Sequence, residues 1–334
     1  MGISVGMVGL GAFGKEFVEY FNAHPLVDRL ALCDLEPERI KKFAAMPSLA
    51  AKFKPSDAYS SLEELLKTDI DAVVIITQHW LHAPQAIAAM EAGKHAYTAV
   101  PVISIPDADE TLEWCDKLIG ACKRTGMRYM LGETTYYRPE AMYCRRKAAE
   151  GAFGRFVYGE GEYLHDVDLP SCNLRDVWTW RMSSKAGKEY LAKLEDYRTR
   201  GIKGGPMHYP THSVSGPFSV MKAHALKVSC VGTPVPKGDD WFRYDAFGNE
   251  TALFQMSNGA GVRICEYRDI GVLGREMFSV MGTKGAFYGG ENMCEANYWC
   301  TKTSLTKVGI DQMREKLPDD VYKDKDVVSA LPVF

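Results

Sequence analysis

Short apolar runs alternate with helical stripes over the first third of the chain. Ile3 to Val8 reads as a buried parallel strand, and Phe13, Phe17, Val18 and Phe21 behind it fall on one helical stripe. Leu30-Ala31-Leu32-Cys33 predicts a second strand, followed by a helix from Glu38 to Phe53. Ser61 to Leu66 reads as a short helix, capped by Ser60 or Ser61, with Glu63 and Glu64 in its first turn. A buried strand follows from Asp71 to Thr77, then a helix from His82 to Ala92 closed by Gly93. His95 to Ala99 predicts a strand, Asp107 to Thr125 a helix ended by Gly126, and Arg128 to Leu131 another strand. Strands separated by helices imply a doubly wound parallel sheet.

The pattern changes near Gly132. A helix runs from about Pro139 to Glu150 and stops at Gly151. Longer alternating runs then dominate: Phe156 to His165, Leu226 to Val231, Thr251 to Ser257, Val262 to Tyr267 and Met277 to Gly282. Few helices separate them, so the sheet is expected to be large, open and mostly antiparallel, in an α+β domain. The polar, aromatic-studded segment from Pro170 to Gly205 reads as a long functional or mobile connection. The tail after Asp319 reads as charged and loosely packed. Residues 1–131 thus form one expected domain of α/β class, and residues 132–334 a second for substrate and oligomerisation.

The turn after the first strand carries chemistry. Gly9-Leu10-Gly11-Ala12-Phe13-Gly14 joins a strand to a helix, the frame of a Rossmann dinucleotide site. Gly9 permits the tight turn, Gly11 lets the backbone approach a pyrophosphate, and Gly14 lets the helix pack on the strand. The pyrophosphate would rest on open N–H groups at the positive helix end, so Ala12 and Phe13 count among the cofactor residues. Asp34 ends the second strand, about 20 residues past the last glycine, where an acid accepts from the ribose hydroxyls. It would repel a 2′-phosphate, which favours NAD over NADP.

Composition narrows the class. The 334 residues suffice for two cored domains, with 46% hydrophobic and 25% charged positions. The net charge is −3. Arg145-Arg146-Lys147 is short and reads as a solvated helix face, so no nucleic-acid partner is indicated. No apolar run approaches the roughly 20 residues of a membrane span. The first strand begins at Ile3, which argues against a signal peptide and makes the cytoplasm the default location. The nine cysteines show no paired spacing and read as small hydrophobes of a reducing compartment.

Several local sequences resemble the glucose–fructose oxidoreductase / inositol dehydrogenase (Gfo/Idh/MocA) family. They are Thr77-Gln78-His79-Trp80-Leu81-His82, Gly93-Lys94-His95-Ala96-Tyr97, and Gly204-Gly205 followed by His212. The resemblance implies NAD-dependent hydride transfer on a sugar, glycoside or cyclic polyol, and a homodimer or homotetramer built through the second-domain sheet. It places Thr77, His79, His82, Val100 and Pro101 beside the cofactor. Typical members carry Glu-Lys-Pro where this chain has Ala99-Val100-Pro101, and their catalytic aspartate is replaced by His208. Valine takes no proton, so acid–base work must lie elsewhere. Tyr163-Leu164-His165-Asp166 and Tyr209-Pro210-Thr211-His212, with Gly216-Pro217 beyond, resemble the NAD-dependent glycosidases of glycoside hydrolase family 109, which also carry Val-Pro. The alternative activity is therefore a redox-neutral glycosidase. A third reading is a non-catalytic NAD- or sugar-sensing protein.

Histidine titrates near neutrality and suits removal of a hydroxyl proton. His212 follows Pro210, which places it near a helix start. It is the expected acid–base residue, with Tyr209 assisting. Tyr163 and His165 lie two apart on a strand and share a face, which makes them further catalytic candidates. Tyr137, Arg138, Trp180, Arg181 and His208 are the candidates for substrate contact. His208 and His212 do not suggest a metal, because Pro210 interrupts a helix through both. His24, His79, His82 and His95 read as structural side chains, with His79 the exception through its place beside the cofactor segment.

Overall fold

The computed structural model describes residues 2–11, 13–290 and 297–314. Ala12 and the tail after Asp319 lie outside the described residues. The described chain falls into two compact units, one up to Gly132 and one from Glu133 onward.

The first unit is a parallel sheet of β1 (Ile3–Val8), β2 (Val27–Cys33), β3 (Phe53–Tyr59), β4 (Ala72–Ile75), β5 (His95–Thr98) and β6 (Tyr129–Leu131). Their order is β3-β2-β1-β4-β5-β6, the doubly wound arrangement that reverses beside β1. Helices α1 (Gly14–Ala23), α2 (Pro37–Ala44), α3 (Leu62–Leu66), α4 (His82–Glu91) and α5 (Ala108–Thr125) connect them. Two cores follow. Val5, Met7, Leu30 and Leu32 pack with Phe17 and Val18, while Val8, Ala31, Val73 and Ile75 pack with Ala86 and Leu118. Ser61 and Asp107 cap α3 and α5, their side chains accepting from Glu64 and Glu110 N–H.

Two expectations here are corrected. The helix expected from Glu38 to Phe53 ends at Ala44, and Phe53–Tyr59 is the edge strand β3. Pro47 and Pro55 interrupt helical continuation, and β3 buries only Phe53 and Asp57, so it shows no apolar run. Phe13 lies off the buried stripe of α1, at 43% exposure.

The second unit is an eight-stranded sheet in the order β14-β13-β12-β11-β7-β10-β9-β8. Its strands are β7 (Phe156–Leu164), β8 (Ala225–Pro234), β9 (Phe247–Met256), β10 (Gly261–Tyr267), β11 (Arg275–Gly282), β12 (Gly285–Tyr288), β13 (Tyr298–Thr301) and β14 (Leu305–Lys307). All neighbours are antiparallel except β7 with β10. The helices are α6 (Thr134–Tyr137), α7 (Pro139–Ala149), α8 (Leu174–Ser183), α9 (Lys185–Thr199), α10 (Thr211–Met221) and α11 (Ile310–Met313). Val262, Ile264, Phe278 and Val280 of the sheet pack with Ala141, Cys144, Val220 and Met221 of α7 and α10.

The long connection expected from Pro170 to Gly205 is instead mostly the helices α8 and α9. Asn173 and Ser184 cap them, accepting from Asp176 and Gly187 N–H. Tyr190, Leu194 and Tyr197 supply a buried stripe of spacing four and three that the surrounding charges conceal. Arg145 and Arg146 are not merely a solvated face. Arg145 donates to Tyr136 O and lies over the Tyr136 ring, and Arg146 donates to Met313 O. Cys33, Cys144 and Cys265 are buried as expected, but Cys172 and Cys230 are exposed. No described helix is long and apolar enough to cross a membrane.

Candidate functional site

In the first unit, Gly9 takes φ +90°, a left-handed conformation that glycine adopts without strain. A Cβ on Gly14 would stand 1.9 Å from Gly9 O, so only glycine lets α1 start this close to the turn. No side chain caps α1, although Lys15 and Glu16 N–H already donate to Gly11 O and Phe13 O. Asp34 is buried at the end of β2. Its Oδ2 accepts from Leu10 N–H at 2.7 Å and its Oδ1 from Glu36 N–H at 2.8 Å. Asp34 therefore staples the glycine turn to β2, and its oxygens keep lone pairs for ribose hydroxyls. Arg39 Nη1 lies 3.5 Å from Asp34 Oδ2. These residues fit a dinucleotide.

The remaining cofactor candidates serve differently. His82 is 1% exposed, with Nδ1 2.8 Å from Pro101 O and Nε2 3.4 Å from Thr77 O. Its ring nitrogens face backbone, so His82 clamps the Thr77 and Pro101 segments together. Thr77 donates its hydroxyl to Gln85 Oε1 at 2.6 Å. The rings of His79 and His82 meet edge to face at 5.9 Å. Val100 is buried and carries no proton-transfer group.

The second unit gathers four expected catalytic residues into one cluster. His212 lies in the first turn of α10. That helix end presses on β7 at Gly161, where a Cβ would stand 1.9 Å from Ser213 O. Tyr163 lies two residues further along β7, and its ring is 5.1 Å from the His212 ring. His212 Nε2 is 3.3 Å from the Tyr209 hydroxyl, and Nδ1 is 3.0 Å from Glu133 Oε1. An ionised Glu133 accepts from Nδ1–H, which leaves Nε2 toward Tyr209. Burial pulls the His212 pKa down, but the Glu133 hydrogen bond and the Glu133 and Glu276 charges overcome it, so the imidazole titrates above its ordinary 6.5. Burial opposes charge on Glu133 too, yet His212 and the Thr135 amide hold its carboxyl below the usual range.

A second pair stands beside the first. His165 Nε2 faces Cys172 O at 3.1 Å, so it carries the hydrogen and Nδ1 accepts from Tyr163 O–H at 2.8 Å. Burial lowers the His165 pKa, which keeps this ring neutral. Burial raises the Tyr163 and Tyr209 phenols well above 10. One histidine held toward its charged form and one held neutral is the divergence that separates acid from base.

Sequence reasoning missed the carboxylates around this cluster. Glu133 follows β6, and Thr135 N–H donates to its Oε1 at 2.8 Å. Glu276 on β11 accepts from Thr135 Oγ1 at 2.7 Å, pairs with Arg138 at 2.8 Å, and lies 3.8 Å from His212 Nδ1. Glu266 on β10 accepts from Ser213 Oγ and from Arg268 Nη2, and burial pushes its carboxyl to about 7 against both donors. The Arg268 guanidinium lies 4.7 Å over the Tyr163 ring. The available signal was an acid inside an alternating strand, Ile264-Cys265-Glu266, where strand alternation points Glu266 and Ile264 to one buried face.

The substrate candidates divide. Arg138 is brought to His212, as a partner of Glu276. Arg181 is largely buried within electrostatic reach of Tyr209; burial lowers its pKa while Tyr209 and Cys172 raise it. Trp180 is 45% exposed, whereas Trp178 packs edge to face on Trp241 and Tyr190. Tyr137 packs on Tyr136. His208 Nδ1 turns back to Gly205 O at 3.3 Å. Among the described residues no three His, Cys, Asp or Glu side chains are placed to hold a metal ion.

Residues 3–133 match the model of an oxidoreductase family with an NAD-binding Rossmann fold, Gfo/Idh/MocA. A glycosyl hydrolase family 109 protein of Porphyromonas gingivalis is 36% identical over 191 residues, 54% of this chain and 38% of the relative. An alpha-N-acetylgalactosaminidase of Shewanella oneidensis is 32% identical over 224 residues, 65% and 43% of the two chains. The chain thus matches about two fifths of the length of these curated relatives. Two solved structures superpose over nearly the whole chain. Aldose-aldose oxidoreductase from Caulobacter crescentus, complexed with glycerol, gives a TM-score of 0.71 at 17% identity, covering 99% of this chain and 88% of that one. Scyllo-inositol dehydrogenase from Lactobacillus casei, with bound NAD(H) and scyllo-inositol, gives 0.64 at 15%, covering 92% and 82%.

Proposed function

We propose that the protein is an NAD(H)-dependent oxidoreductase acting on a sugar, glycoside or cyclic polyol at a ring carbon. The first unit holds NAD through the Gly9–Gly14 turn and Asp34, and the second supplies substrate binding and acid–base chemistry. One observation carries the reading: a histidine fixed by a buried carboxylate on Nδ1, with Nε2 beside a tyrosine hydroxyl. NAD, when bound, supplies the hydride acceptor. His212 Nε2 takes the hydroxyl proton of the substrate, and Glu133 stabilises the imidazolium that results. The Tyr209 hydroxyl is placed to pass that proton on. In the reverse direction the imidazolium returns the proton to the carbonyl oxygen. With Val100 where typical Gfo/Idh/MocA members carry lysine, this pair replaces the usual proton carrier. His212→Ala should cut turnover by about 100-fold or more while NAD still binds. Unchanged turnover would sink the assignment.

The second pair favours an alternative outcome of the same chemistry. Transient oxidation at C3 of a glycoside acidifies the C2 proton, which needs its own base. Neutral His165 is the base for it: the proton passes to the Tyr163 oxygen as the Tyr163 hydrogen moves to His165 Nδ1, which already accepts from it. The leaving group then departs by elimination, water adds, and the hydride returns. The family 109 relatives support this reading. Purified protein with catalytic NAD and chromogenic glycosides separates the two. Aglycone release over many turnovers without NADH means the glycosidase; NADH rising in step with product means the dehydrogenase.

The same reading includes a cytoplasmic homodimer or homotetramer. Val231 and Leu253 share one sheet face by register and are 76% and 56% exposed. An apolar face of this kind is suited to a second copy. Light scattering should give a dimer or tetramer that Val231→Asp with Leu253→Asp dissociates; a monomeric wild type overturns this.

A further inference from the structure

Glu133 alone is enough to orient His212, yet a second carboxylate is built in beside it. Glu276 Oε1 stands 3.8 Å from His212 Nδ1, beyond hydrogen-bond length but well inside charge range. Two carboxylates against one nitrogen would repel unless each were separately satisfied. Thr135 does this with two different donors, its N–H to Glu133 and its hydroxyl to Glu276. Arg138 then neutralises Glu276 at that same oxygen, Oε1, at 2.8 Å. Both side chains of this ion pair are about 15% exposed or less, so solvent screens them little. Arg138, Glu276 and His212 also line one small cavity with Thr135, Glu140 and Asn297.

We propose that Arg138 and Glu276 form a positioning pair whose two charges act in opposition on His212, setting the balance between its acid and base forms. The inference rests on the reading of His212 as the acid–base residue. It assigns Arg138 to the tuning of that residue, beyond any part in substrate binding. Glu276 favours the imidazolium and Arg138 opposes it, so the pair holds His212 between two limits that either residue alone would miss. The other groups facing His212 are Glu133 before α6, Glu140 on α7, Tyr163 on β7 with His165 beyond it, Tyr209 before α10, and Glu266 with Arg268 at the end of β10. Glu133 keeps the Thr135 amide, Tyr163 keeps His165, and Glu266 keeps Arg268 when Arg138 or Glu276 alone is changed.

The test is an NMR titration of the full chain with isotope-labelled histidine, the His212 signal assigned through His212→Gln. Glu276→Gln should lower the His212 midpoint by about one pH unit, because Arg138 then acts unopposed. Arg138→Gln should raise it, by about half a unit, and the double variant should return toward wild type. Arg138→Lys keeps the charge and should leave the midpoint near wild type. Should Glu276→Gln fail to fold, the contrast of Arg138→Gln with Arg138→Lys still decides. Midpoints that do not move, or that move the same way in Glu276→Gln and Arg138→Gln, overturn the proposal. The titration needs no turnover, so failure of the functional reading, an active His212→Ala enzyme, is seen separately.

Discussion

The glycine turn after β1 and the His212 cluster use opposite materials. The turn works with backbone: a left-handed glycine, a helix start without a side-chain cap, and a contact that leaves no room for a Cβ. It comes from six consecutive residues and one acid at the end of the next strand. The cluster works with side chains from β7, β10, β11, α10 and the segment after β6. Its groups are spread from Glu133 to Glu276, and its properties depend on which of them carry protons. The difference teaches where each site is fragile. Added volume breaks the first, and altered charge breaks the second.

The largest expected effect is on the turn. Gly14→Val would drive a side chain into Gly9 O, so it should abolish NAD binding and cost about 2–3 kcal/mol of stability, read by calorimetry and cofactor titration. The cluster should tolerate volume-conserving changes yet respond to charge. Glu133→Gln should lower turnover about 10- to 100-fold and move the His212-dependent limb of the pH profile to lower pH, with NAD affinity unchanged. A Glu133→Gln enzyme with a wild-type profile would remove the carboxylate from the account. Thr135→Val keeps the shape of the side chain and loses only the hydroxyl donor to Glu276. Its expected cost is smaller, at most about fivefold in turnover.

The smallest effect is on stability against pH. Glu266 titrates at about 7 in the folded chain, above its ordinary 4.5. Its contribution is therefore full below pH 4.5 and lost as pH rises toward 7. His212, also raised, adds stability below about 6.5 that fades as pH climbs through its folded pKa. Glu266→Gln should flatten the dependence between pH 4.5 and 7 in denaturant titrations, and an unchanged slope would contradict the assignment of Glu266.

The two regions also differed in how far the sequence revealed them. A contiguous motif in a strand–turn–helix frame carries its geometry in its spacing, so Gly9, Gly14 and Asp34 were readable directly. His212, Tyr209, Tyr163 and His165 were readable because each pair lies within three residues of the chain. Glu133 and Glu276 were not, since 143 positions of chain separate them and each looks like an ordinary surface acid. The pairing of β7 with β11 sets Glu276 opposite Tyr163, and Thr135 donates to both carboxylates. The same holds for structure. Helices α8 and α9 were hidden by a polar surface, and β3 by an edge position that buries only two side chains.

His212→Gln, assayed for NAD binding and for turnover on the same preparation, tests the central claim most directly. The account predicts wild-type NAD affinity with turnover reduced about 100-fold or more and its pH dependence near neutrality lost. Turnover close to wild type, or loss of NAD binding with turnover, would contradict it.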